Sequence, residues 1–251
     1  NIQQMAEQSI KDNLKYLESK WANNDCMVYL DSKNWDILAY VGSADYNNEE
    51  IDWKVDVIQS LRQPWSTMKP FIYSLGMMNN PYTLDTPVYD IPFTIGSDKP
   101  NNVDGKFMWL MPIKRALPYS RNIPAIKMYF SAWQEIAIKK FMKQLGITTF
   151  SDDVDYGYPL AIWAWEVKMI EFANAYMHLS ADGEPAVMDP VLEIKASDWS
   201  LLYQKQEKKQ NKVIDSWVAY MIRKALSDKS NFPSSRVPIY SYKWFPVATK
   251  S

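Results

Sequence analysis

The sequence predicts an α+β fold, and two observations carry that class. Apolar residues at helical spacing fill residues 2–20 and most of the chain from 66 to 181. Short apolar runs around turn residues occur at 26–41, 191–205 and 237–251. Helices and hairpins in one chain of 251 residues, long enough for a real core, give α+β as one large domain or two small ones.

The elements follow in order. Residues 2–20 put Ile2, Met5, Ile10, Leu14 and Leu17 on one helical face, with charges opposite. Cys26–Leu30 and Ile37–Val41 read as strands around a turn at Ser32–Trp35. A tight hairpin turn calls for Asn-Gly, because both centres need positive φ, and the sequence offers Asn34-Trp35. Residues 66–78 read as a helix with Ser66 in its first turn. Residues 79–104, rich in Pro, Asn and Asp, read as irregular loop. Within 111–130 come a short helix, a loop at Pro118–Asn122 and a helix from Pro124, proline being well placed in a first turn. EIAIKKFMKQLG is an amphipathic helix closed by Gly146, and EVKMIEFANAYMHLSADG another closed by Gly183. VLEIKASDWSLLYQK reads as a second hairpin, which calls for Asp-Gly and offers Asp198-Trp199. VIDSWVAYMIRKALSDKS is a further helix, and VPIYSYKWFPVATKS reads as two strands.

Composition excludes several functions. A formal net charge of -1 gives no nucleic-acid footprint, and the basic patch QKQEKKQNK at 204–212 reads as a solvated loop. One cysteine, Cys26, allows neither an intrachain disulfide nor a cysteine-based metal site. A Ser-His-Asp triad would have to run through the single histidine, His178, whose neighbours read as an ordinary helix end. No apolar run reaches the ~18 residues of a membrane span.

The chemistry points elsewhere. In RQPWSTMKPF, Ser66 and Lys69 stand three apart, so a helix sets the lysine amine beside the serine hydroxyl. Serine is a weak nucleophile that needs an adjacent base, and lysine serves as one where burial or neighbouring cations favour the neutral amine. A helix start adds backbone N–H groups that can hold an oxyanion. Alone the pair is weak, since Ser-x-x-Lys arises about once by chance in such a length. Ser120-Arg121-Asn122 in a proline-flanked loop and Lys250-Ser251 at the end of an apparent strand complete a set of three.

Ser-x-x-Lys, Ser-x-Asn and Lys-[Thr/Ser]-Gly, in this order, form the signature of penicillin-binding proteins and serine β-lactamases. The flanks RQPWSTMKPF, PNNVDGKFMWLMPIKRALPYSRNIPA and PLAIWAWEVKMIEFANAYMHLSADG resemble the transpeptidase domain of class A penicillin-binding proteins. The resemblance covers nearly all of 1–251, with residues 1–22 as a leading helix. It implies a D,D-peptidase/β-lactamase-like fold: an antiparallel sheet flanked by helices, plus an all-helical subdomain. The family's preceding glycosyltransferase domain is absent and the chain stops inside the third motif, so an incomplete sheet is expected.

The resemblance implies a role for each matching residue. Ser66 attacks a D-Ala-D-Ala stem peptide and forms an acyl-enzyme. Lys69 accepts its proton, Ser120 relays a proton to the leaving amine, and Lys250 tunes the site. Asn122 binds the substrate backbone and Ser251 lies beside it. The partners implied are the stem peptide, an acceptor amine and β-lactams as covalent inhibitors, on the extracytoplasmic face of a bacterial membrane through an upstream anchor. No cofactor, metal or nucleic acid is implied. The alternatives are a D,D-carboxypeptidase or β-lactamase-like hydrolase, or an inactive scaffold or β-lactam sensor if Trp65 stands as tryptophan.

The tryptophans are out of pattern. The chain has 7 Gly and 11 Trp, where usual usage of about 7% gives roughly 18 Gly. Trp65, Trp35, Trp109, Trp163 and Trp199 stand where the family carries glycine, and Trp53, Trp133, Trp165, Trp217 and Trp244 where glycine reads naturally. Trp21 has no such assignment. Some bacterial lineages read UGA as glycine while other code tables read it as tryptophan, so the expectation is that these are glycine codons.

Overall fold

The structure is a computed structural model that describes residues 1–20, 22–45, 54–182, 188–206, 212–235 and 247–251. In chain order its elements are α1 (Ile2–Glu18), β1 (Met27–Leu30), β2 (Ile37–Val41), β3 (Leu61–Arg62), a 3-10 turn (Trp65–Met68), α2 (Lys69–Asn79), β4 (Pro87–Asp90) and β5 (Trp109–Pro112). There follow α3 (Ile113–Ala116), α4 (Asn122–Ser131), α5 (Gln134–Gln144), β6 (Val167–Lys168), α6 (Met169–Ser180), β7 (Glu193–Lys195), β8 (Leu201–Gln204) and α7 (Ser216–Ser227). The chain forms two units, Asn1–Arg62 with Val167–Lys212, and Gln63–Glu166 with Val213–Ser251. Each of the four sheets among the described residues is a two-stranded antiparallel pair, so the class is α+β with an incomplete sheet. Among the described residues, no helix is long and apolar enough to cross a membrane.

In the first unit, α1 lies against the β1–β2 hairpin. Its buried line is Ala6 and Ile10 with Leu14, packed with Met27, Ala39, Val41 and Ala44. This corrects the predicted face: Met5 is 72% exposed and Ile2 44%. The side chain of Gln3 explains the docking, since it accepts from the Tyr40 N–H at 2.8 Å and donates to its carbonyl at 3.2 Å. Trp35 closes the hairpin turn at φ +60, its N–H donating to the Asp31 carbonyl at 2.9 Å. The β7–β8 turn repeats this with Trp199 at φ +66. α6 ends earlier than predicted, and Asp182 takes the left-handed position; Gly183 lies outside the described residues.

His178 is buried on α6, edge-on to Trp35 with ring centroids 5.3 Å apart. Burial depresses its pKa to about 4, so it is neutral at physiological pH. Burial likewise pushes the Cys26 thiol up to about 11, which leaves it a poor nucleophile.

In the second unit α2 is the hub. Residues 69–77 are all buried, which marks a core helix rather than an amphipathic one. It touches α4, α5 and α7. Gly76 permits the α4 contact: a Cβ there would come 2.6 Å from Met128 Cε and 3.3 Å from the Met128 carbonyl. α5 ends as predicted at Gly146, φ +90. The bonds from Ile147 N to Met142 O and from Gly146 N to Lys143 O, both 3.1 Å, form a Schellman cap.

One prediction fails here. The stretch 79–104 holds a strand, β4, paired to β5 with Val88 opposite Met111. β4 escapes sequence detection because a four-residue run beginning with proline shows little alternation. Most of the predicted C-terminal strand pair lies outside the described residues, at 237–246, and 247–251 form no strand.

Candidate active site

Ser66 stands in the 3-10 turn Trp65–Met68, which runs directly into α2. The expected single helix is thus split, with its tight first turn around the serine. Lys69 opens α2 and Pro70 follows it, where the missing proline N–H leaves no gap in the helix bonds. The serine stays on the surface side while the lysine is fully buried.

The buried ammonium is surrounded by oxygen. Lys69 Nζ donates to the Ser120 carbonyl at 2.7 Å, to Asn122 Oδ1 at 2.7 Å and more weakly to Ser120 Oγ at 3.4 Å. Lys250 Nζ donates to the same Ser120 hydroxyl at 3.0 Å. Residues 69, 120, 122 and 250, far apart in the chain, therefore converge. Two lysine amines meet at the Ser120 hydroxyl.

A network that sequence reasoning missed holds the Ser120–Asn122 loop. Asp90, at the inner end of β4, has no exposed surface and Arg121 is 7% exposed. Asp90 Oδ2 accepts from Arg121 Nε at 2.8 Å and from the Met108 N–H at 3.0 Å, and Oδ1 accepts from Asn102 Nδ2 at 2.7 Å. Asn102 Oδ1 in turn accepts from the N–H of Asn122 at 2.8 Å and of Ile123 at 3.3 Å. That caps α4, which has no side-chain cap of its own. Arg121 also reaches Asp104 at 2.9 Å and the Lys106 carbonyl. The Arg121 hydrogen bond holds the Asp104 carboxyl below the usual range. The available signal was one aspartate in an apolar strand and an arginine inside Ser-x-Asn.

With the loop fixed this way, Ser120 adopts φ +59. A cavity of about 530 Å³ opens here, lined by Trp65, Ser66, Tyr119, Ser120, Arg121 and Ser251 among others. Five of the predicted site residues, Ser66, Lys69, Ser120, Asn122 and Lys250, are thus linked by bonds, chain position or a shared cavity wall, and Ser251 lines the same cavity. No bond joins Ser66 Oγ to Lys69 in the described contacts.

Comparison with known proteins agrees with this geometry. The family model described as the penicillin binding protein transpeptidase domain matches residues 26–251. Penicillin-binding protein 1C of Escherichia coli is 23% identical over 219 residues, covering 84% of this chain and 26% of its own. Penicillin-binding protein 1A of Neisseria meningitidis is 26% identical over 213 residues, covering 80% and 26%. The chain therefore spans about a quarter of the length of these relatives. In fold it is similar to PonA1 of Mycobacterium tuberculosis, with TM-score 0.75 at 20% identity over 96% of this chain and 63% of that one. The same protein in complex with penicillin V gives TM-score 0.71 at 22% identity, over 89% and 60%. A family match from Cys26 to Ser251 spans nearly all of the chain, so the chain belongs to the penicillin-binding protein transpeptidase family.

Proposed function

We propose that the complete gene product is a serine D,D-transpeptidase that cross-links peptidoglycan stem peptides on the extracytoplasmic side of a bacterial membrane. The observation that carries this reading is the Lys69 amine held between Ser120 and Asn122, one turn after Ser66, with Lys250 on the Ser120 hydroxyl.

In this reading Ser66 Oγ bonds to the carbonyl carbon of the penultimate D-Ala as its proton passes to neutral Lys69. The carbonyl electrons move onto an oxyanion, which the Ser66 N–H helps to hold. Collapse re-forms the carbonyl and breaks the peptide bond. The leaving amine takes the proton from Lys69 by way of Ser120, a path supported by the 3.4 Å contact. The acceptor amine then attacks the ester and returns a proton along the same groups, which frees Ser66. Asn122 aligns the stem peptide. A β-lactam follows the first half and stays, and the solved PonA1 complex with penicillin V supports that class of inhibitor.

The test is covalent labelling of the complete gene product with a fluorescent penicillin. Labelling is expected, and Ser66→Ala removes it. Absent labelling, or labelling that survives Ser66→Ala, overturns the reading.

A further inference from the structure

The tryptophans carry an inference that goes beyond the reaction. Among the described residues, eight that are not glycine have positive φ, and five of them are tryptophan: Trp35, Trp65, Trp109, Trp133 and Trp199. Tryptophan is 11 of 251 residues, so chance does not concentrate it there. The left-handed region is where a Cβ meets the backbone and where glycine alone is free of that clash. A bulky aromatic residue there is an outlier that calls for a compensating contact. Four of the five have none of the burial that would provide it: Trp65 is 61% exposed, Trp109 72%, Trp133 69% and Trp199 81%. Their backbones are nonetheless those of specific turns. The Trp199 N–H closes a turn on Ala196 at 3.0 Å, and Trp133 stands at the start of α5. The backbone follows glycine's conformations while these four side chains stay mostly in solvent. Trp35 differs in being buried against His178, yet its φ of +60 is the same. Trp163, Trp165 and Trp217 lack positive φ, and Trp165 stacks on Phe150 at 4.2 Å, so they fall outside the inference. Trp21, Trp53 and Trp244 lie outside the described residues.

We propose that Trp35, Trp65, Trp109, Trp133 and Trp199 are glycine in the protein as its organism makes it, encoded by UGA codons that this organism reads as glycine. UGA differs from the glycine codon GGA in its first base alone, so one altered anticodon base in a glycine tRNA suffices. A code table that assigns UGA to tryptophan then writes an indole at each site. Residue 65 gives this a functional consequence, which rests on the acylation reading above. Its indole lines the cavity beside Ser66. With glycine the wall there is backbone alone, and residue 65 becomes a positioning residue that keeps the approach to the Ser66 hydroxyl and N–H clear.

The gene and the peptides of the protein purified from its own organism decide the first part without any assay of activity. UGA codons and glycine-containing peptides are expected at all five positions. A UGG codon or a tryptophan-containing peptide at any of them overturns it. For residue 65, the complete chain made with a UGG codon there should be labelled by fluorescent penicillin about tenfold or more slowly than the same chain carrying Trp65→Gly. Trp199→Gly should leave that rate as it was. A rate unmoved by Trp65→Gly overturns the positioning role, whatever the codons say.

Discussion

Ser120 and Trp199 share a backbone conformation, φ +59 and +66, and differ in everything around it. Ser120 is half-buried; its carbonyl takes the Lys69 ammonium and its hydroxyl takes Lys250. The next residue is clamped by a buried carboxylate. Trp199 is 81% exposed, and its turn is closed by backbone bonds and by the Asp198 carboxylate, which accepts from the Ser200 N–H at 3.0 Å and the Ser200 hydroxyl at 2.6 Å. A left-handed side chain costs about 1 kcal/mol. At Ser120 the neighbours offset that cost and fix a hydroxyl where two lysines meet. At Trp199 the turn is held by its neighbours, but the exposed indole gains no burial to offset it. Strain that its surroundings over-determine marks a working site. Strain without such support marks a residue ill-matched to its backbone.

The largest effect that could break this comparison is at Asp90. Asp90→Ala leaves the Arg121 guanidinium buried without its main partner, which costs about 3–5 kcal/mol. It also removes one of the two bonds that hold the Asn102 amide, the cap of α4, and leaves the one to the Lys106 carbonyl. Urea unfolding midpoints should fall accordingly, and penicillin labelling should fall with them. Asp90→Ala with Arg121→Met should regain much of the stability, because the unpaired charge is gone, but not the labelling. If Asp90→Ala alone leaves both measurements unchanged, the loop is not held by this network and Ser120 is no better supported than Trp199.

Much of this contrast was legible in the sequence, and the gaps have physical causes. The Ser66–Lys69 pair was visible because helical spacing is local. The β1–β2 and β7–β8 hairpins were visible because apolar runs flank turn residues, and the same turn chemistry flagged Trp35 and Trp199. The meeting of Lys250 with Ser120 spans 130 residues and came only from the resemblance, since no periodicity encodes it. Asp90 and Asn102 were missed because a buried charge looks like any other charge until its partner is known. The burial of Ala6 in place of Met5 shows the same limit: apolar spacing defines a stripe, and the docking hairpin selects which edge of it is covered.

A smaller effect sharpens the other side of the comparison. Among the described residues, Trp35 is the one left-handed tryptophan with a buried side chain, and His178 reports on it. Burial sets the His178 pKa at about 4, below its ordinary 6.5. The unfolded chain therefore takes up a proton on this residue before the folded one does. Stability from this group is complete above pH 6.5 and declines as pH falls toward about 4. Trp35→Gly opens one face of the imidazole to water. Its pKa, followed by NMR of the ring protons, should then rise toward the ordinary value, and the acid-side loss of stability should shrink. A pKa that stays near 4 would mean that the indole is not what keeps His178 dry.

The smallest effect lies at the outer arm of the Arg121 fork. Asp104 is bonded to the same guanidinium as Asp90, yet its side chain is 50% exposed against none for Asp90. Water competes for that bond, so Asp104→Asn should cost no more than about 1 kcal/mol. High salt should shrink the cost further, while the cost of Asp90→Ala should hardly move. Arg121 depresses the Asp104 carboxyl, so its contribution is present above the ordinary 3.8 and is lost as pH falls through the lower folded value. Unfolding of both variants at low and high salt measures the difference. Equal, salt-sensitive losses would put the Asp90 carboxylate in contact with solvent. The Ser120 loop would then rest on a surface ion pair, too weak to offset its left-handed backbone.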